Sequence, residues 1–274
     1  MCQVLEVSKS GYYAWCERGE SVHAREDREL LGELECIYED SGKRYGSPRV
    51  WQALRKAGRK HSRKRVARLM AKRGLFARKK RRFVHTTYAD PTHQPSANLL
   101  ARDFHADEPN RKWVSDIKQI PTDEGDLYLA VHLDLYARRV VGWAMDDNME
   151  ATLTVNSMEM AVQQRDPEPD LLNHSDRGSQ FTAEAYRQVL GQHGCVQSMS
   201  RKGNVWDNAA MESFYSTLEF ECLQGRHFKT RAEAKMEVFT YIETFYNRKR
   251  LHSTLGYLSP EEFEAQGKPN STVH

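Results

Sequence analysis

Residues 171–181 read "LLNHSDRGSQF". Leu171 and Leu172 open a buried strand, and the Asp-Arg-Gly-Ser run after it is turn chemistry. The strand therefore stops where a single carboxylate, Asp176, meets solvent. An aspartate there either caps the turn or holds a ligand, depending on what else the fold brings to the same sheet edge.

Upstream, "KWVSDIKQI" alternates, "DLYLAVHLDLY" places Leu127, Leu129, Val131, Leu133 and Leu135 on one face, and "RRVVGWAM" follows a short turn. Three strands with short connections predict an antiparallel meander. A helix at about 151–165 precedes the strand at 171. A helix from Thr182 to about His193, a short strand "CVQSMS", a loop "RKGNVWDN" and a helix from about Asn208 follow it. The fold class is thus α/β, a mixed sheet with flanking helices. A last helix opens with the capping box "TRAE" at Thr230 and Glu233 and buries Val238, Ile242 and Phe245.

The N-terminal third differs. Residues 43–82 hold 18 Lys or Arg and no Asp or Glu, which leaves 23 basic against 38 acidic residues elsewhere. Leu30, Leu34 and Ile37 form a helical stripe before this block. Inside it, Ser47-Pro48 starts a helix that Gly58 stops, and Ser62 caps a second that Gly74 stops, with Val66, Leu69 and Met70 inward. Two short helices joined by a tight turn predict a helix-turn-helix module. A charge of this density suits the phosphate backbone, with Arg63, Lys64, Arg68 and Lys72 toward the nucleic acid. Arg201 and Lys202 of the loop "RKGNVWDN" join them as DNA contacts.

Composition excludes several classes. Hydrophobic residues make up 39% and charged residues 29% of 274, and no apolar run approaches the roughly 18–20 residues of a membrane span. The start lacks the layout of a signal peptide. Five scattered cysteines without a C-x-x-C pair argue against a zinc site or disulfide framework and for a reducing cytoplasm.

Asp116 lies inside the first strand, where a lone charge is costly unless paired or bound to a cation. Glu212 lies one turn into the helix starting near Asn208. If the first and fourth strands are neighbours, Asp116 and Asp176 converge and Glu212 can descend onto them. Three carboxylates suit a hard cation, Mg²⁺ or Mn²⁺, and two such ions about 4 Å apart suit phosphoryl transfer.

The flanking residues go further. "WVSDI", "HSDRGSQF" and "SRKGNVWDNAAMESFYSTLEFE" resemble, in order, the three blocks of DDE transposases and retroviral integrases, with 35 residues between Asp176 and Glu212. "VSKSGYYAW", "YGSPRVW", "LYLAVHLDLYARRVVGWAM" and "YNRKRLHSTLGYLSP" extend the resemblance over nearly the whole chain, to the second-frame product of the insertion-sequence-three (IS-three) family of bacterial transposases. The resemblance implies a ribonuclease-H-like five-stranded core with Asp116, Asp176 and Glu212 as catalytic metal ligands, their carboxylates within about 6 Å of one another. It implies cleavage of double-stranded DNA at mobile-element ends and 3′-hydroxyl strand transfer. A silent DNA-binding repressor and a plain ribonuclease-H-like nuclease are the alternatives. It also implies a homo-oligomer on DNA in the bacterial cytoplasm, bound to the nucleoid, and fusion to or help from an upstream first-frame product.

Two positions depart from the pattern. Where many members carry Lys or Arg seven residues after the catalytic Glu, this chain has Glu219, and the first strand continues with Lys118-Gln119 instead of Thr and an aromatic. Asp134 is expected to pair with Arg138 or Arg139, and Asp207 and Asn208 to cap a helix. The expected divisions are a helical segment 1–40, the basic module 41–82, a linker 83–105, the catalytic core 106–262 and a tail 263–274.

Overall fold

Serine and glycine set the helix ends of the N-terminal region. Ser8 Oγ accepts Gly11 N at the start of α1 (Lys9–Glu17), Ser21 Oγ accepts Ala24 N before α2 (Val22–Asp40), and Ser62 Oγ accepts Arg65 N before α4 (Arg63–Arg73). Pro48 sits in the first turn of α3 (Ser47–Lys56), and Gly74 closes α4 at φ 72°, a left-handed position that glycine adopts without strain. The computed structural model describes residues 6–77, 96–201 and 204–267, and the chain divides into two units, Met1–Arg78 and Lys79–His274. The linker residues 83–95, the basic residues 78–82, Lys202 and the tail residues 268–274 lie outside the described residues.

In the first unit Leu30, Leu34 and Tyr38 of α2 are buried together with Val50 and Leu54 of α3 and Val66, Leu69 and Met70 of α4. Tyr38 takes the place expected for Ile37, since its hydroxyl reaches Phe76 O at 2.8 Å. α2 therefore belongs with the two basic helices, and the division expected at residue 40 runs through one core. The acidic face of α2 also meets the arginines: Asp27 pairs with Arg65 and Arg68, each at 2.7 Å, Glu33 with Arg59 at 2.7 Å, and Glu35 with Arg73.

The second unit is built on a sheet of β1 (Lys112–Ile120), β2 (Leu127–Asp134), β3 (Arg139–Asp146), β4 (Leu172–Ser175) and β5 (Val196–Met199), in the order β3-β2-β1-β4-β5. β1–β2 and β2–β3 are antiparallel; β1–β4 and β4–β5 are parallel. On one face, α5 (Ala151–Arg165) and α7 (Glu184–Gln192) bury Trp113, Met158, Leu171, Phe181, Tyr186 and Met199. α5 lies so close to β3 that a Cβ on Gly142 would fall 2.4 Å from Ser157 O. The helix expected from Thr182 to His193 is broken at Ala183 into a single turn, α6 (Ser179–Thr182), and α7, because Ala183 is extended at ψ 144°.

α8 (Ala209–Leu218) runs on through a π-turn at Glu219–Leu223, and α9 (Arg231–Thr240) through another at Tyr241–Tyr246. Phe214 meets Tyr246 edge-on, with ring centres 5.0 Å apart.

Two expected boundaries move. Leu100 is buried, Leu99 N and Leu100 N donate to Ser198 Oγ at 2.9 and 3.1 Å, and Met199 N donates to Ala97 O. The last part of the expected linker thus covers the free edge of β5. At the other end α10 (Pro260–Ala265) is fixed by a Ser259–Glu262 capping box and a buried Phe263, so the core continues past residue 262. Among the described residues no helix is long and apolar enough to cross a membrane.

Candidate active site between β1, β4 and α8

The parallel register of β1 and β4 pairs Lys112 with Leu172, Trp113 with Asn173 and Val114 with His174. Carried two residues further, the same offset sets Asp116 level with Asp176, just past the end of β4. Alternation then assigns faces. Ser115 Oγ donates to Asn173 Oδ1 at 2.9 Å, and His132 Nε2 lies 3.1 Å from Ser157 Oγ of α5, so Ser115 faces α5 and Asp116 faces the opposite side, where α8 lies.

Both aspartates are half-buried. Burial, and then the neighbouring charge of Asp176, push the Asp116 carboxyl well above the usual carboxylate range; Glu212 acts in the same direction, while Lys118 and the Ile117 N–H oppose it. Burial raises Asp176 as well, against one hydrogen bond from Gly178 N at 2.9 Å. Gly178 leaves room for this: a Cβ there would stand 3.1 Å from Asp176 Oδ1 and 2.9 Å from Gln180 Oε1. Two acids that share a desolvated edge cannot both ionise freely without a proton or cation between them.

Glu212 is half-buried in the first turn of α8, and its charge reaches Asp116. Among the described residues, however, no three His, Cys, Asp or Glu side chains close into a cluster of metal-ligand dimensions. The 6 Å spacing expected of the three acids is therefore not displayed as a closed triad. The donors are of the right kind, all oxygen, and the charge of Asp176 reaches Asp116.

Several residues have roles that differ from expectation. Asp134, wholly buried, accepts Asn110 N and Tyr136 N, each at 2.9 Å, and lies 4.0 Å from Arg165; Arg139 pairs with Glu264 instead. Asp207 caps no helix. Its carboxylate, 0% exposed, accepts Arg201 N, Nε and Nη2, Arg102 Nε and Asn98 Nδ2 at 2.8–3.0 Å. The Arg201 guanidinium, and the other donors after it, hold its carboxyl far below the usual range despite burial. Asn208 does occupy the N-cap position of α8, but its side chain makes no capping bond there and donates from Nδ2 to Ser115 O at 3.2 Å. His174 is buried between Ser198 Oγ at 2.8 Å and Ser200 Oγ at 3.1 Å, and burial pushes it down to about 4, so it stays neutral and braces the β4–β5 edge.

Of the residues expected on DNA, Arg63, Lys64 and Lys72 are exposed on α4, whereas Arg68 is exposed but engaged by Asp27 and Arg201 by Asp207. Asn247 fastens the last helices, exchanging hydrogen bonds of 3.0 Å with Val140 N and O. Arg250 makes a buried ion pair with Glu221 at 2.9 Å, shared by the Tyr241 hydroxyl. Sequence reasoning did not find the Asp207 cluster or the Tyr215 hydroxyl, which donates to Asp116 O at 2.6 Å and lies 3.1 Å from Leu129 O. The available signal for Tyr215 was its position three residues after Glu212, on the same helix face.

Models of the integrase core domain match residues 106–205 and 212–267, and a model of the HTH-like domain matches residues 24–83. An integrase-type core preceded by a helix-turn-helix-like module makes this a DNA transposase with an integrase catalytic core. The chain is 41% identical over 266 residues to the transposase InsF for insertion sequence IS3A of Escherichia coli (strain K12), covering 96% of this chain and 92% of the relative. It is 44% identical over 240 residues to the transposase for insertion sequence element IS904 of Lactococcus lactis subsp. lactis (strain IL1403), covering 87% and 94%. It belongs to the IS3 family of insertion-sequence transposases. The solved chain of a simian T-cell lymphotropic virus intasome in complex with PP2A regulatory subunit B56 gamma shares the fold, with a TM-score of 0.50 at 10% identity over 88% of this chain and 78% of that one.

Proposed function

We propose that Asp116, Asp176 and Glu212 are the catalytic carboxylates of this transposase and hold two ions of Mg²⁺ or Mn²⁺ during cleavage at element ends and 3′-hydroxyl strand transfer. The carrying observation is the shared environment of Asp116 and Asp176. Two half-buried acids close enough to interact, with a third close enough to raise Asp116 further, form an arrangement that is unfavourable without positive charge. A divalent ion bound there supplies that charge and polarises the attacking and leaving oxygens of an in-line displacement. The chain's own part is to hold the ligands. β1 holds Asp116, the chain just past the end of β4 holds Asp176, Gly178 leaves the Asp176 oxygens room, and α8 presents Glu212 on the face that carries Asp116.

Arg63, Lys64 and Lys72 are the DNA contacts we propose on α4, with Arg68 shared between DNA and Asp27. Arg201 and Lys202 serve the active-site end. The transposase works as a homo-oligomer on DNA in the bacterial cytoplasm, with an upstream first-frame product supplying further end recognition; the bacterial origin of the relatives supports this setting.

Glu212→Gln tests the assignment because it keeps size and removes only charge. With DNA carrying the element's ends and Mg²⁺, the variant is expected to lose strand transfer while DNA affinity and thermal stability stay near wild type. Strand joining at the normal rate overturns the triad. A wild-type protein that binds ends but never nicks them points to the repressor.

A further inference from the structure

Asp116 and Lys118 are two residues apart on β1 and so share a face of the strand. Glu212 and Glu219 are seven residues apart along α8 and its continuation, two turns on the same helix face. The two faces meet along their length. Asn208 Nδ2 donates to Ser115 O at 3.2 Å, Tyr215 Oη donates to Asp116 O at 2.6 Å, and Lys118 Nζ stands 3.0 Å from Glu219 Oε2. Positions 208, 212, 215 and 219 are one helical stripe laid along residues 115–118, and Glu212 is the member of that stripe between the Asn208 and Tyr215 contacts.

This stripe faces a difficulty of its own making. Turning Glu212 toward the Asp116 carboxylate is repulsive, and a helix relieves such repulsion by rotating or sliding along the strand. An opposite-charge pair on the same two elements opposes it directionally. The Lys118 and Glu219 side chains are 13% and 27% exposed, shielded enough that solvent screens them less than a surface pair.

We propose that the Lys118–Glu219 ion pair is a register clamp that holds α8 on β1 in the setting that turns Glu212 toward Asp116. The inference rests on the catalytic reading above. Both are positioning residues: they hold α8, while the Lys118 charge also reaches Asp116 directly. The two departures from the family pattern, a lysine on the first strand and a glutamate seven residues after Glu212, thus answer each other across the strand–helix contact.

The test uses the full chain as wild type, Glu219→Gln, Lys118→Gln and the exchanged double variant Lys118→Glu/Glu219→Lys. The readouts are Mn²⁺ binding by calorimetry, metal-free amide hydrogen exchange along α8, and strand transfer. Outer partners that orient metal ligands typically change affinity 10–100-fold. Each single variant is therefore expected to bind Mn²⁺ about tenfold or more weakly, with faster exchange in α8 and unchanged salt dependence of DNA binding. The exchanged double variant is expected to recover most of the loss. Single variants that bind Mn²⁺ like wild type, or an exchange that recovers nothing, overturn the clamp. So does a Lys118→Gln variant whose main defect is a shallower salt dependence, since its lysine then serves phosphate. Glu212→Gln run in parallel separates the two readings: if it stays active the triad is wrong, and if it is dead while Glu219→Gln behaves as wild type only the clamp is wrong.

Discussion

Asp207→Asn is the substitution whose cost the structure defines best. The buried carboxylate takes five donors from three residues: Asn98 and Arg102 of the segment lying on β5, and the backbone and side chain of Arg201, where the loop to α8 begins. Removing one partner of a fully buried ion pair costs about 3–5 kcal/mol. Here the guanidiniums of Arg102 and Arg201 are 46% and 55% exposed and can turn to water, so that figure is an upper bound. The Arg201 N–H and the Asn98 amide have less freedom, and an unsatisfied buried donor costs about 1–3 kcal/mol. An amide nitrogen facing two guanidiniums adds repulsion. A loss of roughly 2–3 kcal/mol is expected by urea unfolding, which corresponds to a Tm lower by about 4–12 °C for a unit of this size. Because Glu212 is five residues further along, strand transfer is expected to fall more than DNA binding. A double-mutant cycle with Arg201→Ala checks the mechanism. Coupling near zero, or a cost below about 0.5 kcal/mol, refutes the anchoring role.

Two further outcomes follow from buried and surface charge. Burial pushes His132 down to about 4, below the ordinary 6.5, so the unfolded chain takes up a proton that the folded chain refuses. Stability from this group is complete above about pH 6.5 and is lost as pH falls toward 4, on the order of 3 kcal/mol in all; urea titrations of wild type and His132→Gln should diverge across that window, and parallel curves contradict it. On α4, Arg63→Ala/Lys64→Ala is expected to reduce the salt slope of DNA binding by up to about 2, whereas Asp27→Asn, which releases Arg68 and leaves Arg65 with Glu26 alone, should steepen it; fluorescence anisotropy against salt decides both.

The sequence by itself carried the strands, most helix ends and the three acids. Period-two alternation in "DLYLAVHLDLY", Ser62 and Gly74 at the ends of α4, and the blocks around Asp116, Asp176 and Glu212 are local signals, each legible within a few residues. The parallel pairing of β1 with β4 is not local, and only the fold showed that a constant offset sets Asp116 level with Asp176. The same holds for charge. The basic block looked uncompensated because its counter-charges lie on α2, tens of residues away in sequence. Lys118 and Glu219 looked like two unrelated departures until the strand and helix were laid together. Asp207 resembled a cap because the position before a helix suits one, yet its donors come from residues 98–102 and 201. Local chemistry determines which elements form, whereas the partner of a charge depends on which elements meet, and that depends on burial across the whole chain.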